Sequence, residues 1–389
     1  MTSDIQPSRP ANAYPEGYAV PPERKSVYKI AQIGADGIGP EVIDAGVKVI
    51  HAVAKKLGNA RYEFTNLDWS SDRYKKTGSY VPADYIEVLK DHDAIFFGAV
   101  GAPDVSDHVS LWGLRLAIFV PGSFPARNLL CATASPKTST GASFAKTRRE
   151  STPVTEGDLT GGSLTRLVLV SRFDPSLPHC ISNTDDLLLE VTIFTRVGIK
   201  RIATYAFQLA QARPRKLLTY VTKSNAMRNG MVLWDEVINE VAKDFPDVTM
   251  DHMLVDAMTV RMTLQPESLD TILATNLHAD ILSDLAAALA GSIGIAPTAN
   301  IDPSRTMPSM FEPIHGSAFD ITGMGIANPV GTFWSACEML DWLGEHEAAA
   351  LLMKAIEKTC ADGVFTKDLG GNADTAQVTQ AVIDAIMSS

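Results

Sequence analysis

Two aspartates are spaced so that they could share a cation. Asp280 and Asp284 lie four residues apart in the stretch 278–284, His-Ala-Asp-Ile-Leu-Ser-Asp. On a helix, side chains at this spacing project from the same face. Like charges there repel each other, and a bound divalent cation would offset the repulsion. The pair therefore indicates half of a cation site, with a plain solvated helix face as the alternative.

A third carboxylate, Asp256, lies in the apolar stretch Met-Leu-Val-Asp-Ala-Met at 253–258. An unpaired acid would be costly to bury there, so we expect it to have a partner. Three acids, several waters and a substrate oxygen would suit Mg²⁺ or Mn²⁺, which take oxygen ligands octahedrally. Considered alone, Asp256 would be interpreted as a partly exposed helix residue.

A lysine follows a predicted strand. Lys223 comes directly after the apolar run 217–221 and Thr222, and α/β enzymes place working groups at strand ends. A lysine near a metal and carboxylates can accept a proton. Most lysines are merely solvated, so this role needs support from its surroundings.

A long loop with several glycines occupies residues 312–329 and begins Glu-Pro-Ile-His-Gly-Ser-Ala-Phe-Asp. Such a loop can bring backbone amides close to a ligand. An acid in it could accept a hydrogen bond from a ribose hydroxyl and repel a 2′-phosphate, which favours NAD over NADP. The alternative is a plain surface loop.

The elements that must position these groups alternate between strands and helices. The pattern predicts strands at 30–33 and 94–100 and helices at 41–57, 234–244 and 332–343. Such alternation indicates an α/β sheet with helical layers.

The loop 36–41, between the first strand and the first helix, is not a standard dinucleotide fingerprint. It lacks the third glycine, and Glu41 would oppose a pyrophosphate there. A standard Rossmann site is therefore disfavoured.

Composition excludes several classes of partner. The net charge of −11 argues against nucleic acid, and no apolar run reaches the roughly 18 residues that span a bilayer. The four cysteines have no CxxC spacing, and the first residues lack the apolar core of a secretory signal. We expect a cytoplasmic protein without a nucleic-acid or membrane partner.

Together these motifs resemble the β-decarboxylating dehydrogenases, the family of isopropylmalate, isocitrate, tartrate and D-malate dehydrogenases. The segments 97–104, 111–116 and 222–226 are most similar to the tartrate and D-malate branch. The resemblance covers about residues 28–118 and 190–389. The motifs that carry it are residues 34–41, Lys223-Ser224-Asn225, Asp256, Asp280 with Asp284, and residues 315–329.

The resemblance implies a two-domain isopropylmalate dehydrogenase-like fold and a role for each matched residue. Lys223 would be the base for the substrate hydroxyl, and Arg115 would lie near the distal end of a hydroxy dicarboxylate. Asp256 would be catalytic and, supplied across a homodimer interface, would bind Mg²⁺ or Mn²⁺ together with Asp280 and Asp284. The residues that would bind NAD are Asn225, His315, Gly316, Ser317, Ala318, Asp320 and Asn328.

The same resemblance predicts the division of the chain. Residues 1–27 would be a disordered arm, and 28–118 with 292–389 would form a large cofactor-binding domain. Residues 119–291 would form a smaller domain for substrate, metal and dimerisation. Within the family the alternative is an isopropylmalate dehydrogenase; outside it, the alternative is a catalytically silent paralogue that binds NAD or metal.

The family pattern stops within the segment 119–189, which we call the aberrant segment. It lacks the family's substrate-binding arginines and its Arg-Glu-Asn-Ser-Glu-Gly-Glu-Tyr motif, whose tyrosine is the enol proton donor. From residue 144 the chain reads Phe-Ala-Lys-Thr-Arg-Arg-Glu-Ser-Thr-Pro. Joining the third base of each codon to the first two bases of the next permits Arg-Glu-Asn-Ser-Glu-Gly-Glu-Tyr-Ser-Gly.

We therefore interpret much of 119–162 as translated in the wrong frame and 163–189 as an insertion, such as a retained intron. The loss of a general acid typically lowers the rate about 10² to 10⁴-fold, so the chain as written is expected to be weakly active or inactive.

The interpretation makes a prediction about the messenger RNA. Transcript sequencing should show a second coding frame across 119–162 and a removable stretch across 163–189. An uninterrupted codon series with the present reading would contradict it.

Overall fold

Two sheets carry the residues predicted to do chemistry. The structure, a computed structural model, describes residues 24–58, 60–115, 117–118 and 192–389. The aberrant segment and residues 1–23 of the predicted arm lie outside these residues. The strands are β1 Val27–Ala35, β2 Arg61–Asn66, β3 Ala94–Ala99, β4 Leu217–Thr222, β5 Thr249–Leu254, β6 Thr271–Leu273, β7 Pro297–Asn300 and β8 Ser309–Pro313.

Helices flank both sheets, which confirms the predicted α/β class. They are α1 Gly39–Leu57, α2 Ser71–Thr77, α3 Tyr85–Lys90, α4 Asp107–Ser110, α5 Arg196–Gln211, α6 Gly230–Val241, α7 Val255–Leu264, α8 Asn276–Leu289, α9 Val330–Trp342, α10 His346–Ala361 and α11 Thr375–Ser388. A π-helical turn, Leu111–Arg115, follows α4 and carries Arg115 at its end; we call it the Arg115 turn. None of the helices in the described ranges combines the length and apolar character needed to cross a bilayer.

The larger sheet has the strand order β2-β1-β3-β8-β7, with β7 antiparallel to β8 and the other pairs parallel. Successive side chains of a strand point to opposite faces. Accordingly Phe96 packs into the core with α1, α9, α10 and α11, whereas Ile95 and Phe97 pack into the core beside α2 to α4. Both faces of the sheet are therefore covered.

The smaller sheet has the order β5-β4-β6 and is parallel throughout. Tyr220 of β4 packs against α5 and α6, and its neighbour Val221 packs with α7 and α8. Lys223 directly follows the last residue of β4, as predicted. The sheet thus brings Lys223 to the same edge as α7 and α8.

The predicted arm ends in contacts with the larger sheet. Arg24 forms an ion pair of 3.0 Å with the buried Glu345, and Lys25 forms one of 2.6 Å with Asp93. The strand β1 begins at Val27, one residue before the predicted boundary. The last residues of the predicted arm therefore contact the fold.

The loop between β1 and α1 lies unusually close to the loop that follows β8. Gly37 has a φ of +59°, and a Cβ atom there would be 1.9 Å from the Ser317 carbonyl oxygen. The next amide, of Ile38, donates to that oxygen at 2.8 Å. Only glycine meets both the backbone angle and the close approach.

We predict that Gly37→Ala lowers the free energy of unfolding by at least about 2 kcal/mol, because it adds a steric clash to left-handed strain. Gly58→Ala is the matched control, because Gly58 has a φ of +65° with nothing within 4 Å of an added Cβ. It should cost about 1 kcal/mol. Urea unfolding measures both, and equal losses would contradict the close approach.

Candidate active site

Helix α8 presents its two acids to solvent. Asp280 and Asp284 are exposed, whereas Ala279, Leu282 and Ser283 are buried. This alternation follows from an apolar face packed into the core and leaves the acids on the opposite side, one turn apart. The helix therefore presents both acids on one exposed face, as their spacing predicted.

Lys223 and Asp256 form an ion pair across the ends of β4 and β5. The Lys223 Nζ lies 2.6 Å from the Asp256 Oδ1, with the lysine side chain 26% exposed and the aspartate 65% exposed. The hydrogen bond from Lys223 lowers the pKa of Asp256. The partner expected for Asp256 is thus the predicted base, and the acid is a solvent-exposed anion.

The described residues of one chain do not bring the three acids together. Among them, no three histidine, cysteine or acidic side chains lie close enough to share a metal ion. Asp256 lies at the start of α7, and the other two acids lie on α8. The donor chemistry suits a hard cation, but Asp256 would have to come from another chain.

Arg115 is held by a buried carboxylate. Its Nη2 donates to the Glu312 Oε1 at 2.6 Å, and the same oxygen accepts from Asn300 at 3.1 Å. Glu312 is 3% exposed and the Arg115 side chain is 27% exposed. The Arg115 Nε is buried and finds no hydrogen-bond partner among the residues described. The guanidinium is therefore fixed from one side by β7 and β8.

The loop after β8 has features that suit a ligand. His315 is buried, its Nδ1 lies 3.0 Å from the Gly316 carbonyl oxygen, and its Nε2 has no hydrogen-bond partner within the described part of the chain. Burial lowers the pKa of His315. A Cβ added to Gly316 would meet nothing within 4 Å. An orphaned donor or acceptor beside an open backbone fits the predicted NAD site.

The remaining predicted cofactor residues have different surroundings. Asp320 is exposed, and Ala318 has a φ of 40°, which few non-glycine residues adopt. Asn225 is exposed in the turn after Lys223. Asn328 is buried and its amide is already used inside the chain, donating to Asp368 at 2.8 Å and accepting from the Val330 amide at 3.0 Å.

Asp368 hydrogen-bonds to Asn328, near the end of this loop, and to two residues outside it. Burial alone would raise the pKa of Asp368, but hydrogen bonds from Asn328, Ser292 and Thr366 together lower it. The charged acid therefore holds Asn328 and the end of the loop in place.

Three residues near the candidate site were not predicted from the sequence, namely His278, Glu312 and Asn300. His278, two residues before Asp280, is buried with its Nδ1 unpaired among the described residues, and burial and the nearby Lys223 lower its pKa. Glu312 accepts from Arg115, and Asn300 donates to the same Glu312 oxygen. The signal for Glu312 was an acid inside a wholly buried strand, which requires a cationic partner.

The fold and these groups define a dehydrogenase of the β-decarboxylating class. The family model described as isocitrate/isopropylmalate dehydrogenase matches residues 29–120 and 129–386, and the chain belongs to that family. This confirms the predicted recognition, the fold and the enzyme class.

Relatives place the chain in one branch of the family. It is 58% identical over 377 residues to a "probable tartrate dehydrogenase/decarboxylase" of Agrobacterium vitis, covering 93% of this chain and 97% of the relative. It is 40% identical to the "D-malate dehydrogenase [decarboxylating]" of Escherichia coli (strain K12), covering 92% and 98% of the two chains. The resemblance to the tartrate and D-malate branch is thus confirmed.

Two solved dehydrogenase structures have a fold similar to that of this chain. The isocitrate dehydrogenase of Methylococcus capsulatus superposes with a TM-score of 0.70 at 30% identity, covering 92% of this chain and 99% of that one. A β-decarboxylating dehydrogenase of Thermococcus kodakarensis gives a TM-score of 0.70 at 31% identity, covering 93% and 96%.

We predict that Glu312→Gln lowers the free energy of unfolding by about 2 kcal/mol, because the partly buried Arg115 loses its anionic partner. Asp44→Asn, which removes a surface pair with Lys48, is the control and should cost less than about 0.5 kcal/mol. Equal unfolding midpoints in urea would contradict the buried pair.

The lowered pKa of His315 predicts a pH dependence. The pKa of His315 in the folded chain lies below the ordinary value of 6.5. Its imidazole therefore takes up a proton more readily in the unfolded chain than in the folded chain. Stability from this group is present above pH 6.5 and is lost as pH falls below it, by at most about 1.4 kcal/mol per pH unit. Urea unfolding between pH 7 and pH 5 should show a shallower dependence in His315→Gln. Parallel curves would contradict the prediction.

Proposed function

We propose that this enzyme carries out NAD- and divalent-metal-dependent oxidation, with β-decarboxylation, of a small 2-hydroxy dicarboxylic acid such as tartrate or D-malate. The observation that carries the proposal is the 2.6 Å contact between Lys223 and Asp256 at the strand ends. It joins the side chain proposed as the base to one proposed as a cation ligand, two groups that this chemistry needs close together. The names of the relatives supply the substrate class.

In the proposed reaction, Lys223 takes the proton of the substrate hydroxyl while the hydride of C2 leaves for the cofactor, which yields a ketone. The carboxylate on the next carbon, β to the ketone carbonyl, then departs as CO₂; its bonding electron pair is delocalised onto the ketone oxygen as an enolate, and that carbon is later protonated. When bound, NAD would accept the hydride, and a divalent cation, which Asp256, Asp280 and Asp284 would hold, would supply Lewis-acid polarisation of the substrate oxygen.

Other side chains would bind and orient the reactants. Arg115, fixed by Glu312, offers its exposed side to the distal carboxylate of the substrate, because a guanidinium matches carboxylate geometry. The NAD adenosine would lie along the loop after β8, near His315 and Gly316. Asp320 is exposed there and can accept from a ribose hydroxyl. Asn225 would reach the cofactor from the turn after Lys223.

The proposed enzyme is a homodimer. Helices α7 and α8 pack against each other and expose large apolar side chains, and an exposed apolar patch indicates a protein interface. A second chain docked on this patch would carry its own Asp256 toward the acids of α8. The exposed side chains are Val260, Leu264, Leu277, Ile281 and Leu289, with exposed fractions of 56%, 72%, 65%, 53% and 49%.

The proposed domain division follows the two sheets. Residues 28–118 with 292–389 contain the larger sheet and would bind the cofactor. Residues 119–291 contain the smaller sheet and would provide metal ligands, base and dimer contact. Because the aberrant segment falls in this second domain, we expect the chain as written to lose most of its activity.

The test is NADH production from D-malate and tartrate with Mn²⁺, by the chain as written and by a frame-restored version. The restored version should turn over, and the written chain should be at least about 10²-fold slower, because it lacks a general acid and arginines.

Each alternative has its own outcome in that assay. Equal rates would show that the aberrant segment is genuine. Preference for isopropylmalate over both substrates would identify the other branch of the family. Cofactor binding without turnover in the restored version would indicate a silent paralogue.

A further inference from the structure

A chain of buried hydrogen bonds joins the loop that follows β1 to Tyr80, which lies against the Arg115 turn. The Asp36 carboxylate accepts from the Ser71 amide at 2.8 Å, the Ser71 hydroxyl at 2.6 Å and the Gly101 amide at 2.9 Å. The Ser71 Oγ in turn lies 2.9 Å from the Tyr80 hydroxyl. Because Ser71 has one proton and gives it to Asp36, Tyr80 must donate to Ser71.

Tyr80 also supports the Arg115 turn directly. Ser110, the residue immediately before the turn, is buried, and its hydroxyl donates to the Asp107 carbonyl oxygen at 3.1 Å. A Cβ added to Gly113 would lie 2.6 Å from the Tyr80 ring, so the backbone of the turn rests on that ring. Tyr80, Ser71 and Ser110 are exposed by 2% or less. Water therefore cannot replace these contacts cheaply.

The other end of this chain meets the predicted cofactor loop. Two residues after Asp36, the Ile38 amide donates to the Ser317 carbonyl oxygen at 2.8 Å. Gly37 between them permits no side chain against that carbonyl. A backbone carbonyl of the cofactor loop is thus connected to the Arg115 turn through Asp36, Ser71 and Tyr80.

We propose that Tyr80 is a positioning residue that holds the Arg115 turn and, through Ser71 and Asp36, makes its rigidity depend on occupancy of the cofactor loop. The proposal rests on the proposed function for the identity of the two ligands. NAD bound at 315–320 would restrain Ser317, then the loop 36–39, and so the turn that presents Arg115 to the substrate carboxylate. Through this linkage, cofactor binding would order the turn that carries the substrate-binding Arg115.

Amide hydrogen exchange tests the proposal on the full chain as written. Tyr80→Phe keeps the ring and removes the hydroxyl, and exchange in 111–115 should become about three- to tenfold faster without NAD. Tyr74→Phe is the matched control, because the Tyr74 ring stacks on Tyr80 at 4.8 Å. It should leave exchange in the turn unchanged. Ser71→Ala breaks the same chain at another residue and should reproduce the effect.

Added NAD distinguishes positioning from simple stabilisation. NAD should slow exchange at 315–320 in the unsubstituted chain and in Tyr80→Phe, but at 111–115 only in the unsubstituted chain. Protection of the turn by NAD in both proteins would overturn the proposal, as would unchanged exchange in Tyr80→Phe and Ser71→Ala. If NAD protected 315–320 in neither protein, the proposed cofactor site would fail, and the comparison without NAD would decide the role of Tyr80.

Discussion

A divalent cation needs several oxygen ligands at one point, and this requirement governs how the site must be assembled. Asp256 lies at the end of the smaller sheet, paired with Lys223, while Asp280 and Asp284 lie on the outer face of α8. The same helix also exposes the apolar side chains of Leu277, Ile281 and Leu289. Association of two chains would bury that apolar surface and bring the acids together, so the same contact would contribute stability and complete the chemistry.

The larger sheet imposes a second constraint through close backbone packing. Because Gly37 lies against the Ser317 carbonyl, the loop after β1 and the loop after β8 cannot move independently. Asp36 extends the contact to Ser71, and Glu312 of β8 holds Arg115. Arg115 and the loop after β8 are therefore attached to the larger sheet, while Lys223 and Asn225 follow a strand of the smaller one.

Local patterns in the sequence predicted several of the elements and some of the residues at their ends. The apolar run at 217–221 predicted β4 and put Lys223 at its end, and the spacing of Asp280 and Asp284 put both on one helix face. Contacts between distant residues were not predictable in this way. Arg115 and Glu312 are 197 residues apart, and the link between Ser71 and Tyr80 depends on how loops pack. Periodicity reports which side of an element is buried, but not which polar groups meet there.

The central claim is that the cation site is shared between chains, and Mn²⁺ binding to mixed variants of the frame-restored chain tests it most directly. Asp256→Asn and Asp280→Asn each remove one ligand, and each variant alone should bind Mn²⁺ weakly. After unfolding and refolding together, half of the dimers would be mixed, and each would contain one intact site, so about one quarter of the unsubstituted number of sites should return. Electron paramagnetic resonance of free Mn²⁺ measures that number. If the mixture binds no more Mn²⁺ than the separate variants, the three acids are not shared across a dimer, and the account is wrong.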